Sequence, residues 1–253
     1  MFRNAIVRKP GRSMVNGLST ANLGFPDYAK ALRQHQAYIE TLQSCGLAVT
    51  ILDADEHYPD STFVEDTALL TPHYAIIMNP GAASRRGEIL SMVPVISGFY
   101  ANVERVIDPG TVDAGDIMMV GDHYYIGLSE RTNAEGARQV IAILQRYGMS
   151  GSTIRLADML HLKTGLAYLE NGNLVVCDEF AGHPDFQRFN KIAVPAEESY
   201  AANCIWINGR VILPAGFPRM HQKISALGYP VMECDMSEFQ KLDGGLSCLS
   251  LRF

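Results

Sequence analysis

The sequence lacks any apolar run near the roughly 20 residues needed to cross a bilayer, which excludes a membrane-spanning helix. It lacks a C-x-x-C pair, and its five cysteines are an odd number scattered along the chain. Neither a disulfide framework nor a structural zinc site is built that way. Unpaired thiols fit a reducing cytoplasm. The opening MFRNAIVRKP has no apolar stretch of the secretory kind, which points to the same compartment. A basic surplus is also missing: 21 Lys and Arg stand against 27 Asp and Glu, a net charge of −6. That excludes an extended nucleic-acid surface and is compatible with a site for a small cation. No Pro-, Gly- or Ser-rich stretch reads as a linker. With 47% hydrophobic and 19% charged residues over 253 positions, the chain is expected to fold as one globular domain, 1–253, with a full core.

What is present is a recurring pattern of apolar run, tight turn and second apolar run. It reads Asp116-Ile-Met-Met-Val-Gly121-Asp122-His-Tyr-Tyr-Ile126, then Leu166 to Val176 across Asn171-Gly172, then Cys204 to Leu213 across Asn208-Gly209. Asn-Gly between apolar runs predicts a hairpin, because a type I′ turn needs positive φ at both central residues. Thr67 to Ile77 is an earlier copy turning at Pro72. Asn4 to Arg8 and Leu246 to Leu251 supply the two halves of a fifth. Helices are expected between them over Tyr28–Cys45, with Leu32, Ala37, Ile39 and Leu42 on its apolar face, and over Thr132–Tyr147 and Pro218–Leu227. Gly46, Gly148 and Gly228 stand as stops. Hairpin plus helix at a period of roughly 40 to 50 residues is the signature of a closed repeat architecture of the α/β class. Such a ring gathers functional residues near its axis, at strand ends. Segment 11–26, irregular and rich in Gly, Ser and Asn, is either a lid or a plain surface loop.

Few residues carry reactive chemistry. Cys248 follows two glycines in Asp243-Gly-Gly-Leu-Ser-Cys248, a turn that can expose a thiol at a sheet end, although a Cys in an apolar run is also a common core residue. His161 precedes the strand beginning near Leu166 and can partner a nucleophilic Cys or be a satisfied structural His. Asp113 and Asp116 are both candidates to orient it. Asp60, Glu65 and Asp66 cluster at the start of another apolar run. Adjacent acids point to opposite faces of a strand, so one can meet a ligand while the other pairs elsewhere. Such a cluster suits a cation, and with few histidines near it a metal is disfavoured.

In order along the chain, Arg33-Gln-His-Gln36, Pro59-Asp60-Ser-Thr-Phe63-Val-Glu65-Asp66, Pro80-Gly-Ala-Ala-Ser-Arg85-Arg86, Asp113-Ala-Gly-Asp116, Gly127-Leu-Ser-Glu-Arg131-Thr-Asn133, His161-Leu-Lys163, Ala201-Ala-Asn203-Cys204 and Asp243-Gly-Gly-Leu-Ser-Cys248 resemble the dimethylarginine dimethylaminohydrolases of the guanidine-modifying pentein superfamily. The resemblance runs nearly end to end and implies a five-bladed α/β propeller. It implies Cys248 as nucleophile, His161 as general acid/base and Asp113 as the carboxylate orienting it. It implies Asp66 for the guanidinium, Asp60 and main-chain groups near Leu18 and Leu242 for the amino-acid end, and Arg85 with Arg131 for the α-carboxylate. Phe63, Glu65 and Asp243 stand in the same motifs and join the expected substrate contacts. Segment 11–26 matches the family's mobile lid. Asp113 stands where several microbial relatives have Glu, Ala114 where the motif usually has Gly, and Leu249 where the animal-type enzyme can have a second Cys.

The implied reaction is hydrolysis of asymmetric dimethylarginine or monomethylarginine to citrulline through a covalent thiouronium, with no metal or cofactor. The implied partner is a small-molecule substrate, with no nucleic acid and no membrane; a homodimer is left open. Two rivals remain. Arginine deiminase chemistry would use the same residues on unmethylated arginine, but typical members are longer. An inert methylarginine-binding propeller would not need the full Cys, His and acid set.

Overall fold

The Asn208-Gly209 turn shows why the hairpins close where they do. Both residues have positive φ, 51° and 87°, and the turn joins Ile205–Ile207 to Arg210–Pro214 with Ile207 opposite Arg210. Asn171 and Gly172 are likewise positive, within a longer loop that also takes Glu170 to φ 66°. In this computed structural model, which describes all residues 1–253, the five expected hairpins are present. The strands are Ala68–Leu70 with Ala75–Ile77, Ile117–Val120 with His123–Leu128, Leu166–Tyr168 with Asn173–Val176, Ile205–Ile207 with Arg210–Pro214, and Leu251–Arg252 with Asn4–Arg8. The last pair ties the two chain ends together and closes the ring.

Each hairpin carries a third strand that the sequence pattern did not reveal. Ala48–Leu52, Val103–Arg105, Ser150–Arg155, Asn190–Ala193 and Val231–Cys234 each lie parallel to one strand of a hairpin, so the molecule has five three-stranded sheets. All five edge strands are half-exposed; Val103–Arg105, Ser150–Arg155 and Asn190–Ala193 are mostly polar and show no apolar run, while Ala48–Leu52 and Val231–Cys234 are apolar but too short and too exposed to stand out. Together the five units form the expected α/β propeller.

The helices follow their caps. Asp27 accepts the Lys30 N–H at 2.9 Å and starts Tyr28–Ser44, while Gly46 at φ 90° ends it. Its buried face is Ala31, Gln34, His35, Tyr38, Ile39 and Leu42, so Leu32 and Ala37, expected inside, are exposed. Asn133 caps Ala134–Arg146, and Pro218–Ser225 is the third expected helix. Ile89–Ser97 was not anticipated, because Pro94 sits inside it. In the fourth unit the connection contains only the short turns Asp178–Ala181 and Pro184–Phe186. No helix is long and apolar enough to cross a membrane.

The core runs between units. One cluster joins Ala5 and Val7 of the first strand to Tyr38 and Leu42 of the first helix and to Ile205, Ile207 and Ile212. Each fully buried aliphatic there contributes about 1.5–3 kcal/mol relative to exposure. The first strand of each hairpin is innermost. Residues 166–168 pack against both 117–120 and 205–207, and 251–252 packs against 68–70. A short helical segment feeds each inner strand: the single turns Val64–Thr67, Ala114–Asp116, Leu162–Gly165 and Ser247–Leu249, and two turns kinked at Glu198 over Ala196–Ala202. These turns pack on one another at one end of the axis: 64–67 on 247–249 and on 114–116, and 162–165 on 114–116 and on 196–202. Tyr38 anchors the last of them, its hydroxyl donating to the Leu246 carbonyl at 2.8 Å and lying 2.6 Å from Ser250 Oγ.

Candidate active site

The gathered turns bring distant residues together. Asp66 lies within the first, Asp113 and His161 stand at the N-termini of the second and third, Asn203 ends the fourth and Cys248 sits in the fifth. The Cys248 segment is therefore a one-turn helix where a strand start was expected, and Glu65 and Asp66 likewise lie in a helical turn.

His161 Nε2 lies 3.1 Å from Asp113 Oδ2, and Asp113 Oδ1 accepts the Gly81 N–H at 2.9 Å. Asp116, the other candidate, does a different job. Its Oδ1 accepts the Leu162 N–H at 2.9 Å and its Oδ2 takes the Ser129 hydroxyl at 2.7 Å, so it fixes the backbone that carries His161. Burial alone would depress the imidazole pKa, but Asp66, Asp113 and Asp116 outweigh it and hold it up at about 9. Asp66 is clamped in turn. Arg85 Nη1 donates to its Oδ2 at 2.6 Å and the Gly115 N–H to its Oδ1 at 3.0 Å. A Cβ on Gly115 would meet Asp66 Oδ1 at 2.8 Å and His161 Nδ1 at 3.0 Å, so this position requires glycine.

Cys248 lines the same space as His161, in a cavity of about 390 Å³ and in an adjoining recess of about 170 Å³. Burial, then the carboxylates of Glu65 and Asp66, pushes its thiol up to about 12, against the opposing pull of the Gly245 N–H and Lys163. The two glycines before it serve close approach rather than left-handed backbone. A Cβ on Gly244 would meet the Phe63 ring at 2.2 Å, and one on Gly245 the Asn203 side chain at 2.5 Å. The positive φ belongs to Asp243, at 57°.

The recess is lined by Leu18, Asp60, Phe63, Asp66, Arg85, Asp113, Arg131, His161, Leu242, Asp243 and Cys248. That gathers every residue expected at the site except Glu65, which is turned to another cavity, where its Oε1 pairs with Lys163 at 2.7 Å and Arg252 at 3.1 Å. The two recess arginines differ. Arg85 is buried, with Nε and Nη2 on Glu88 at 2.9 and 2.8 Å as well as Nη1 on Asp66. Arg131 is half-buried and its side chain makes no internal ion pair. Segment 11–26 reaches over this end. The Leu18 N–H donates to Asp60 Oδ1 at 3.0 Å and the Thr20 N–H to Asp243 Oδ2 at 2.6 Å.

Residues not anticipated at the site are Lys163, Tyr200 and Asn203. Asn203 donates to the Lys163 carbonyl at 2.9 Å and to Ser247 Oγ at 3.0 Å, and accepts the Ser247 N–H at 2.9 Å, joining the His161 and Cys248 segments. Tyr200 donates to the Gly244 carbonyl at 2.7 Å. Asn203 stood in a recognised motif, but nothing in its spacing marked it as a brace. One ligand atom each from Asp66, Asp113 and His161 lies within 4.8 Å of the others, as in a metal site. Here Arg85 already supplies the positive charge beside Asp66, and His161 Nε2 is turned to Asp113. The arrangement offers a thiol, an oriented imidazole and fixed carboxylates around a space sized for a small cation.

Residues 27–182 match the family model described as N,N dimethylarginine dimethylhydrolase, eukaryotic. The chain is 61% identical to the N(G),N(G)-dimethylarginine dimethylaminohydrolase of Pseudomonas aeruginosa, over 100% of both proteins. It is 32% identical to that of Streptomyces coelicolor, over 99% of this chain and 96% of the relative. It superposes with a TM-score of 0.99, at 60% identity and full coverage of both chains, on a crystal structure of a cysteine-to-serine mutant of the Pseudomonas aeruginosa enzyme complexed with citrulline. The N-terminal domain of a cyanobacterial arginine dihydrolase, at 19% identity, a TM-score of 0.89 and coverage of 100% of this chain and 98% of that domain, shares the fold.

Proposed function

The chain belongs to the dimethylarginine dimethylaminohydrolase family, and from that premise we propose how its own residues divide the work. The reaction is hydrolysis of N-omega-methylated arginine to citrulline and a methylamine, through a covalent adduct on cysteine.

The roles rest on one observation: the Cys248 thiol, the His161–Asp113 pair and Asp66 border one recess. A guanidinium carbon is a poor electrophile because resonance spreads its charge. Carboxylates that fix the plane of the cation convert binding energy into orientation, and Asp66, held by Arg85 and Gly115, is pre-set for this. The entering cation offsets the carboxylates that keep Cys248 protonated, so the thiol gives its proton to solvent water, His161 being already protonated, and the thiolate attacks the guanidinium carbon. His161, protonated at neutral pH, gives its proton to the departing dimethylamine or methylamine. The resulting S-alkylthiouronium is attacked by water as the now neutral His161 takes the water's proton. Collapse expels the sulfur and leaves citrulline. Arg131 and Asp60 meet the carboxylate and amino groups of the substrate, and segment 11–26, hooked to Asp60 by the Leu18 N–H and to Asp243 by the N–H and hydroxyl of Thr20, acts as the lid. Five unpaired thiols support a reducing, cytoplasmic setting.

The test is citrulline release from arginine, monomethylarginine and both dimethylarginines in parallel. Asymmetric dimethylarginine should give the higher kcat/KM than arginine. Arginine in front would assign deiminase chemistry to this site.

A further inference from the structure

Behind the recess one arginine serves two buried acids. Arg85 closes its fork on Glu88, with Nε 2.9 Å from Oε1 and Nη2 2.8 Å from Oε2, and turns Nη1 to Asp66 Oδ2 at 2.6 Å. Glu88 ends the turn Ala83–Glu88 and has Arg85 as its one partner, on both oxygens. Asp66, Arg85 and Glu88 are all buried, so the group holds a surplus of one negative charge out of water. The next cation, Arg8, does not cancel it. Its guanidinium donates to the Asp53 carbonyl at 2.9 Å and to Ser91 Oγ at 2.7 Å, and the charges of Asp55 and Asp53 act on it as well as that of Glu88. An unbalanced buried charge is costly, and one that persists points to a cation that arrives later. Of the two acids only Asp66 lines the recess; Glu88 lies behind it.

We propose that Glu88 is a positioning residue that sets substrate selectivity through Arg85: by holding the guanidinium fork on itself, it leaves Asp66 a net negative charge for the substrate cation. This rests on the recess being the substrate site. With Glu88 neutral, Arg85 would cancel Asp66, and the recess would lose its preference for a guanidinium over a neutral urea. The same charge bears on product release. Hydrolysis converts the guanidinium into the uncharged urea group of citrulline, so the surplus is compensated before reaction and bare after it, which favours departure of the product. Burial pushes the Glu88 carboxyl up to about 7, with Arg85 opposing and Asp60 and Asp66 adding to the rise, so the charge is held in full only above neutral pH.

The experiment is calorimetric titration at pH 8 of asymmetric dimethylarginine and of citrulline into full-length Cys248→Ser proteins, in which turnover is blocked. Glu88 is left intact, changed to Gln, changed to Asp, or exchanged together with its partner as Arg85→Met with Glu88→Met, and a circular dichroism spectrum checks the folding of each. The two ligands share the amino-acid end and differ in side-chain charge, so the ratio of their Kd values isolates the charge, whereas a loss of packing would weaken both alike. Glu88→Gln should weaken asymmetric dimethylarginine about tenfold or more and citrulline by less than about twofold. Glu88→Asp keeps the charge and should keep the ratio within about threefold of the Glu88-intact protein. The double exchange removes one charge of each sign, leaves that of Asp66, and should also keep the ratio. A folded Glu88→Gln protein that loses affinity for both ligands equally, or for neither, overturns the proposal. If Glu88→Gln does not fold, collapse of the ratio in Glu88→Asp or in the double exchange does so. Failure of the Glu88-intact protein to bind either ligand would instead remove the recess as the substrate site.

Discussion

Asp113 holds His161 with one oxygen, Oδ2 at 3.1 Å from the imidazole Nε2, while its other oxygen is pinned by the Gly81 N–H at 2.9 Å. The carboxylate cannot swing away, and its charge helps keep the imidazole protonated at up to about 9, against a burial that opposes it. The folded pKa is thus above the unfolded value near 6.5. The pair's contribution is complete below that value and is lost as pH rises through about 9. Asp113→Asn keeps the shape and removes the charge. It should lower kcat by about 100- to 10,000-fold and move the basic limb of kcat, where the general acid is lost, to lower pH. Steady-state assays from pH 6 to 10 check this; an unmoved basic limb would detach Asp113 from His161 function.

Cys248→Ser should abolish turnover while citrulline and substrate still bind. Acid-quenching the wild type during turnover should trap an adduct on the C-terminal peptide. The informative rival is Cys177, which lines the same cavity but not the recess that holds Asp66, Asp113 and Arg131. Mass mapping decides between them.

Arg85 and Arg131 should respond differently, although the sequence alone treats them as a pair. Removing Arg85 strands two buried carboxylates, Asp66 and Glu88, and breaking a buried pair costs about 3–5 kcal/mol. Arg85→Ala should therefore lose stability and turnover together. Arg131→Ala should keep its melting temperature and raise KM for free amino-acid substrates by roughly 10- to 150-fold, one charge-assisted contact of about 1.5–3 kcal/mol. Methylguanidine, which has no carboxylate, should not notice the change. Equal losses on both substrates would make Arg131 structural.

That contrast marks what the sequence could and could not say. Asn208-Gly209 announces its hairpin because only a few residue types tolerate φ of 51° and 87° in succession. Cys248, His161 and Asp113 stood out only through the motifs around them, since a lone Cys or His also reads as an ordinary structural residue and Asp116 served as well as Asp113. The third strand of each sheet was not, since Val103–Arg105 or Asn190–Ala193 take their conformation from a neighbour's hydrogen bonds rather than from their own pattern. Partner choice was equally hidden. Nothing local to Glu65 shows that it faces Lys163 and Arg252 rather than the ligand, or that Arg85 is spent on Asp66 and Glu88.

Gly115→Ala tests how tightly the catalytic turn is packed. The added methyl would press on Asp66 Oδ1 at 2.8 Å and on the His161 ring at 3.0 Å, moving the two groups that must stay aligned. The expected result is a fall in kcat of about 100-fold or more with a modest loss of thermal stability. A variant with wild-type kcat would mean that the turn yields at little cost.

The last prediction concerns selectivity. Asymmetric dimethylarginine and monomethylarginine should be hydrolysed and symmetric dimethylarginine excluded. Cleavage needs one substituted terminal nitrogen facing His161 as leaving group. The other terminal nitrogen must keep its N–H donors for Asp66, whose own oxygens are already fixed by Arg85 and the Gly115 N–H and cannot move to follow a displaced ligand. A methyl on each terminal nitrogen removes one of those donors and adds bulk against a buried carboxylate. Leaving such a group short of a partner costs about 1–3 kcal/mol or more. Arginine keeps every donor but leaves the methyl space empty, forgoing about 0.8 kcal/mol per methyl-sized group. Slow arginine turnover is therefore compatible with this pocket, while symmetric dimethylarginine should be at least tenfold worse than the asymmetric isomer in kcat/KM. Parallel kcat/KM values for the four compounds measure it. Symmetric dimethylarginine matching the asymmetric isomer would show that the second nitrogen does not face Asp66.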